Sequence, residues 1–209
     1  MQPDYRKLAK IALIAIIGLA LLVVLKTAVF AADKGGPSLP PVLSDAPYDA
    51  KPVWSGLYVG GNAGIVAGIV DPIFGVDGYQ GGLQAGALLQ MGRLIVGAEA
   101  SYDWKKVQAF GTNINAHQWD YSGRLGVLVT DHTLLYGKLS RPTLTIDSFG
   151  GGNSAGIGFG GGMETMIARN WSLSAEYERD TFDKISTGRE HIVSVRLNYH
   201  IPVLGKLSP

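Results

Sequence analysis

Between Val193 and Ile201 the odd positions read Val, Val, Leu, Tyr and Ile, while the even ones read Ser194, Arg196, Asn198 and His200. A period of two gives a strand one apolar and one polar face. The same beat recurs along the chain after residue 54 and predicts eight strands. The first covers 54–66, with Leu57, Val59, Ala63 and Ile65 on one side and Tyr58, Gly60, Asn62 and Gly64 on the other. The second covers 81–90, with Leu83, Ala85, Ala87 and Leu89 against Gln84 and Gln90. The third covers 94–104, with Leu94, Val96, Ala98, Ala100 and Tyr102 against Glu99, Ser101 and Asp103. The fourth, 118–128, opposes Trp119, Tyr121, Leu125 and Val127 to Asp120, Ser122 and Arg124. The fifth, 133–141, is the least regular, with Leu135 and Leu139 against Tyr136 and Lys138. The sixth, 154–165, turns Ile157, Phe159 and Met163 away from Gly158, Gly160 and Glu164; the seventh, 171–179, separates Leu173, Ala175 and Tyr177 from Ser174, Glu176 and Glu178. The segment ending at Ile201 is the eighth.

Charged and small residues keep to one parity throughout. That arrangement predicts a closed cylinder with lipid outside and polar side chains inside, because strands of about ten residues suffice to cross a bilayer. The connections fit an up-and-down order. Met91-Gly92-Arg93, Thr130-Asp131-His132 and Ala168-Arg169-Asn170 read as tight turns, and they alternate with longer links at 71–79, 105–116, 142–153 and 180–189. Short turns at one end and longer loops at the other suit an outer-membrane barrel with both chain ends in the periplasm. The four tryptophans lie at strand ends, which predicts aromatic girdles of Trp54, Trp171 and Tyr199 at the periplasmic rim and of Trp104 and Trp119 at the outer rim. An indole favours the headgroup level because its body is apolar and its N–H needs a partner.

Ahead of the barrel, Arg6, Lys7 and Lys10 precede an apolar run over 11–25, then Lys26 and small residues. Two readings of residues 1–31 follow. One is a secretory signal peptide cut before Ala32, with Val29 and Ala31 at the −3 and −1 positions; the other is a retained membrane anchor with Lys26 snorkelling to the interface. Residues 32–53 hold Pro37, Pro40, Pro41, Pro47 and Pro52 and read as an extended linker. Residues 202–209 form an extension beyond the last strand.

Composition narrows the chemistry. Among 209 residues the net charge is +1, which gives no electrostatic basis for a nucleic-acid partner. The absence of cysteine removes disulfides, thiol nucleophiles and thiolate metal sites. His117, His132, His191 and His200 are dispersed without ligand spacing, and no metal or other cofactor is expected. The run Gly156-Ile-Gly158-Phe-Gly160-Gly161 matches a dinucleotide spacing, but no helix follows to meet a phosphate. Glycines facing a crowded lumen account for it better. The candidate site is the set of inward charges Glu99, Arg124, Lys138, Glu164, Glu176, Glu178 and Arg196. An eight-stranded bore is just wide enough for side chains to fill, so these groups are expected to pair into an ionic plug. A narrow polar conduit and paired-carboxylate catalysis are the alternatives.

The segment Trp54-Ser-Gly-Leu-Tyr-Val-Gly-Gly-Asn-Ala-Gly64 resembles the first strand of the opacity-like outer-membrane β-barrel proteins of α-proteobacteria. Gly81-Gly-Leu-Gln-Ala-Gly86, Val96-Gly-Ala-Glu99, Arg124-Leu-Gly126, Leu135-Tyr-Gly137 and Asn170-Trp-Ser-Leu-Ser-Ala-Glu-Tyr177 are similar to later landmarks of that family. The resemblance implies an all-β, eight-stranded antiparallel transmembrane barrel in the outer membrane. It also implies a structural, surface or weakly porin-like role, with no enzymatic activity. The lipid bilayer is then the principal partner. Two other functions remain open: an accessory subunit whose retained N-terminal helix docks on an inner-membrane complex, a layout resembling that of an accessory subunit of a purple-bacterial light-harvesting core, and a loop-mediated adhesin or ligand-binding module.

Overall fold

A computed structural model describes residues 54–70, 74–109, 112–147, 152–183 and 189–201. The expected leader, linker and C-terminal extension lie outside these residues. The strands are β1 (Gly56–Val70), β2 (Phe74–Met91), β3 (Leu94–Ala109), β4 (Thr112–Thr130), β5 (Thr133–Ile146), β6 (Gly152–Ala168), β7 (Trp171–Phe182) and β8 (Arg189–Ile201). Each pairs antiparallel with its sequence neighbours, and β8 closes on β1.

Register sets the shape. Leu57 pairs with Ala87, and the ladder runs on through Ala98, Gly123, Leu139, Phe159, Arg179 and His191 back to β1 at Ala67, ten residues beyond its start. An eight-stranded sheet closed with that offset tilts its strands by about 40°, given roughly 3.3 Å per residue and 4.8 Å between strands. Each residue then adds about 2.5 Å of height along the axis.

The three short turns fall at one end of the barrel. Met91 and Leu94 flank Gly92 and Arg93, with Gly92 at φ 65°, a left-handed conformation that glycine adopts without a Cβ penalty. Thr130–Thr133 and Ala168–Trp171 close equally tightly, each after a register shift in the preceding strand. All eight strands alternate as expected in their lower parts. Leu83, Tyr121 and Leu139 are exposed on the outside, while Glu99, Arg124 and Glu176 are buried inside.

The strands run further at the other end than the alternation predicted. Residues 74–79, 105–109, 112–116, 142–146 and 180–182, expected in links, lie in strands. The reason is a reversal of solvent. Above Trp104 and Trp119 the outward residues become polar, as with Lys106, Asn115, Thr143 and Thr181, while Val66, Val107, Ala116, Leu144, Phe182 and Ile192 turn inward and are buried. There the barrel emerges into water and has the polarity of a soluble sheet. The polar–apolar contrast changes sign at that height, so its period fades from the sequence. The links themselves shorten accordingly: two residues separate Ala109 from Thr112, and six separate Phe182 from Arg189.

Among the described residues no helix is long and apolar enough to cross a membrane. The apolar outer surface marks a band instead. Leu94 and Trp104 lie ten residues apart on β3, about 25 Å in height, which matches the roughly 25 Å apolar girdle of such barrels. Leu139→Arg, near the middle of this band, is expected to destabilise the barrel in lipid vesicles by about 2–4 kcal/mol. Ile201→Arg, at the edge of the band nearest the short turns, should cost about 0–1 kcal/mol. Urea-titrated refolding into vesicles measures both, and equal penalties would contradict the placement of the band.

Candidate functional site

The register lines up inward residues of neighbouring strands, and the charged ones meet in the middle of the bore. Arg196 of β8 bridges two carboxylates, with Nη2 2.6 Å from Glu99 Oε1 and Nη1 2.6 Å from Glu176 Oε2. Lys138 of β5 lies 2.8 Å from Glu178, 3.1 Å from Asp120 and 3.3 Å from Glu176. Arg124 of β4 contacts Glu164 at 3.0 Å and Glu99 at 3.6 Å. All seven inward charges singled out in the sequence therefore fall into one connected cluster. Asp120 joins it from a position on the same parity.

Two tyrosines complete this layer. Tyr58 donates its hydroxyl hydrogen bond to Glu99 at 2.6 Å and accepts one from Arg124 at 3.1 Å. Tyr136 donates to Glu176 at 2.6 Å, and the Arg124 guanidinium stacks 3.8 Å above its ring centroid. Stacking and ion pairing on one guanidinium suit arginine's flat, weakly hydrated head. Gly158 shows how full the space is. A methyl group there would overlap Ser140, Asp180 and Glu178.

A second polar layer lies above. Lys105 donates to Gln118 and Glu190, both at 2.7 Å, and Gln118 donates onward to Asp180 at 3.1 Å. Lys105, expected in a link between strands, is buried. Its signal was present in the parity it shares with Asp103.

Apolar lids cover both polar layers. Towards the periplasm Leu88, Ile95, Leu128, Leu134 and Met166 pack with Trp54. This corrects the expected girdle: Trp54 sits at the periplasmic end but is only 1% exposed, points inward, and donates its indole N–H to the Asp131 carbonyl at 3.1 Å. It lies before β1, where strand parity does not apply, and a carbonyl of the β4–β5 turn satisfies its N–H. Trp104, Trp119, Trp171 and Tyr199 face outward; Tyr102 stands 5.0 Å from Trp104 and 4.9 Å from Trp119, and Trp171 stands 5.1 Å from Tyr199. At the outer end Ala116, Leu144 and Phe182 form a cluster, with Val66, Val107 and Ile192 also buried.

One arrangement was not foreseen. Ser172, His200 and Glu164 converge on the bore side of Trp54, with Ser172 Oγ 2.8 Å from His200 Nε2 and 2.5 Å from Glu164 Oε1. These are the residue types of an acyl-transfer triad, in which the carboxylate holds one ring nitrogen and the serine the other. Here Glu164 approaches the same Nε2 at 3.3 Å, so no relay across the ring forms. Ser172 is also fully buried. Among the described residues no group of three or more histidine or carboxylate side chains is placed to hold a metal ion.

The closed antiparallel cylinder with a lipid-facing apolar band and a polar, packed bore defines a small transmembrane β-barrel. The chain belongs to the outer membrane protein beta-barrel domain family, which it matches over residues 17–200, and its place is the outer membrane. No curated protein sequence matches it. Among solved structures it is similar to Neisserial surface protein A, with 16% identity, a TM-score of 0.52, and coverage of 70% of this chain and 98% of that one. Ail, the attachment invasion locus protein of Yersinia pestis, gives 16% identity, a TM-score of 0.43, and 70% and 99% coverage. The N-terminal β-barrel domain of Pseudomonas aeruginosa OprF gives 14%, 0.41, and 69% and 99%. At these identities the likeness concerns the fold.

Arg196→Met should destabilise the barrel by up to about 3 kcal/mol, because it takes the nearest cation from two buried carboxylates and leaves Glu99 with Arg124 and Tyr58 and Glu176 with Lys138 and Tyr136. Adding Glu99→Gln and Glu176→Gln should recover a large part of that loss. Guanidinium unfolding of the single and triple variants measures the coupling; additive losses would show that the three groups do not act as a unit.

Proposed function

We propose that this chain is a structural and surface barrel of the outer membrane that conducts at most a trace of solute and carries out no reaction. The observation that supports this is the filled bore: two polar layers lie between two apolar lids. Water and ions crossing it would have to part the Arg196, Lys138 and Arg124 pairs and then pass buried leucine, isoleucine and phenylalanine side chains. The carboxylates of the central cluster are engaged by cations and tyrosines, which leaves no general acid–base pair facing substrate. Within its family, the landmarks from Trp54 to Gly64 favour the opacity-like branch.

Short links argue against an adhesin built on loops. The strands themselves rise beyond the lipid band, and the connections between them are only two to six residues long. A surface role would therefore fall on strand ends and the barrel wall. Planar-bilayer recording on the refolded full chain tests the proposal. The expected trace has no stable unitary steps, and reproducible ohmic channels would refute the plug.

The mature chain is proposed to start near Ala32. Intact-mass measurement of protein extracted from outer-membrane fractions should give the corresponding truncated mass. A full-length species confined to the inner membrane would favour the accessory-subunit reading instead.

A further inference from the structure

The outer wall carries cations where the lipid band ends. On β7, Arg179 points outward between the inward Glu178 and Asp180 and pairs in register with His191 of β8. Two residues higher, Thr181 pairs with Arg189. Arg179 is held against the sheet, its guanidinium carbon 5.7 Å from the centroid of Phe159 on β6. Its Nε is shielded from water and has no hydrogen-bond partner. Tyr177 and His191 share a 2.7 Å hydrogen bond between the hydroxyl and Nδ1, which fixes the ring beside the arginines. No ion pair joins Arg141, Arg179 or Arg189 to a described carboxylate. The outward acids nearest this patch are Asp77 on β2, which reaches the level of His191 across Ala67 of β1, Asp147, paired with His117 at 3.0 Å, and Asp183 beyond the end of β7.

Height decides what this patch meets. Arg179 stands eight residues above Trp171 on the same strand, about 20 Å, and Thr181, the partner of Arg189, stands ten above it, about 25 Å, so the two arginines flank the outer edge of a band roughly 25 Å tall. Below it the outward side chains are Tyr177, Val193, Val195 and Phe159, an apolar strip that ends among cations. A soluble anion has no use for that strip. A lipid with a phosphate head has use for both parts.

We propose that the β6–β8 wall binds a phosphate-bearing anionic lipid of the outer leaflet, its phosphate held by Arg179 and Arg189 beside His191 and its acyl chains lying along Phe159, Tyr177 and Val193. Two guanidinium groups present paired N–H donors that match phosphate oxygens. In partial desolvation at the membrane edge such contacts are stronger than in open water. This site adds a ligand to the structural role and does not depend on whether the bore conducts.

Native mass spectrometry of the folded full chain in detergent tests it, with phosphatidic acid, phosphatidylcholine and inorganic phosphate as probes. Phosphatidic acid should bind about tenfold more tightly than phosphatidylcholine, and inorganic phosphate in large excess should not displace it. Combining Arg179→Gln with Arg189→Gln should weaken phosphatidic acid binding about tenfold and leave phosphatidylcholine unchanged. Lys106→Gln, an outward cation on β3, should have no effect. Wild-type affinity in the double variant overturns the site, and so does an equal loss from Lys106→Gln, which would mark diffuse attraction. Displacement by inorganic phosphate would make it a free-anion site and overturn the lipid. Should the double variant fail to fold, Arg189→Gln alone at the strand end decides: a loss of about threefold supports the site, and unchanged affinity refutes it.

Discussion

Hydrocarbon offers no hydrogen bonds to a peptide group, and this constraint shapes the whole molecule. A sheet in lipid must pair every strand on both sides, so β8 has to return to β1. With eight strands offset by ten residues the bore is set, and inward side chains from facing strands meet. The ionic plug follows from that narrowness. Arg196 reaches Glu99 on one side and Glu176 on the other because the wall carrying each is within a side chain's length.

Why the bore is charged is a separate matter. Lipid supplies the apolar surroundings outside, so the inside need not. A bore lined with leucine would make each strand apolar on both faces, and such a chain would lack the contrast that sets register. Charges inside carry a desolvation cost that pairing and hydrogen bonding must offset. Here the pairing extends through Tyr58, Tyr136, Ser172 and Asn198 to the carboxylates, and the apolar lids keep water from competing. Above the girdle, where water is outside, the polarity reverses and Phe182, Leu144 and Val107 turn inward. One chain thus carries two opposite amphipathic patterns in series.

That reversal explains what the sequence revealed and what it hid. Within the lipid band, alternation such as Val193 to Ile201 named the faces, the strand count and the inward charges. Tight turns with Gly92 or Asp131 marked one end of the barrel. Beyond Trp104 the outside residues Lys106 and Asn115 are as polar as a loop would be, so Lys105 looked like a loop residue although it is buried. Trp54 resembled a girdle tryptophan by composition and place; its direction depended on the Asp131 carbonyl, which belongs to a turn distant in sequence. The meeting of Ser172, His200 and Glu164 was equally hidden, because it arises from three strands.

The central claim is that lipid touches one parity of these strands and packed side chains the other. The chain has no cysteine, so single cysteines at Val193, Ser194, Val195 and Leu197 can each carry a nitroxide without background. In vesicles, spectra should show Val193, Val195 and Leu197 open to oxygen, which partitions into lipid, and closed to a water-soluble nickel chelate. Ser194 should be closed to both. Labels at Val195 and Leu197 that are relaxed by the nickel chelate, or shielded from oxygen as fully as Ser194, would contradict the account.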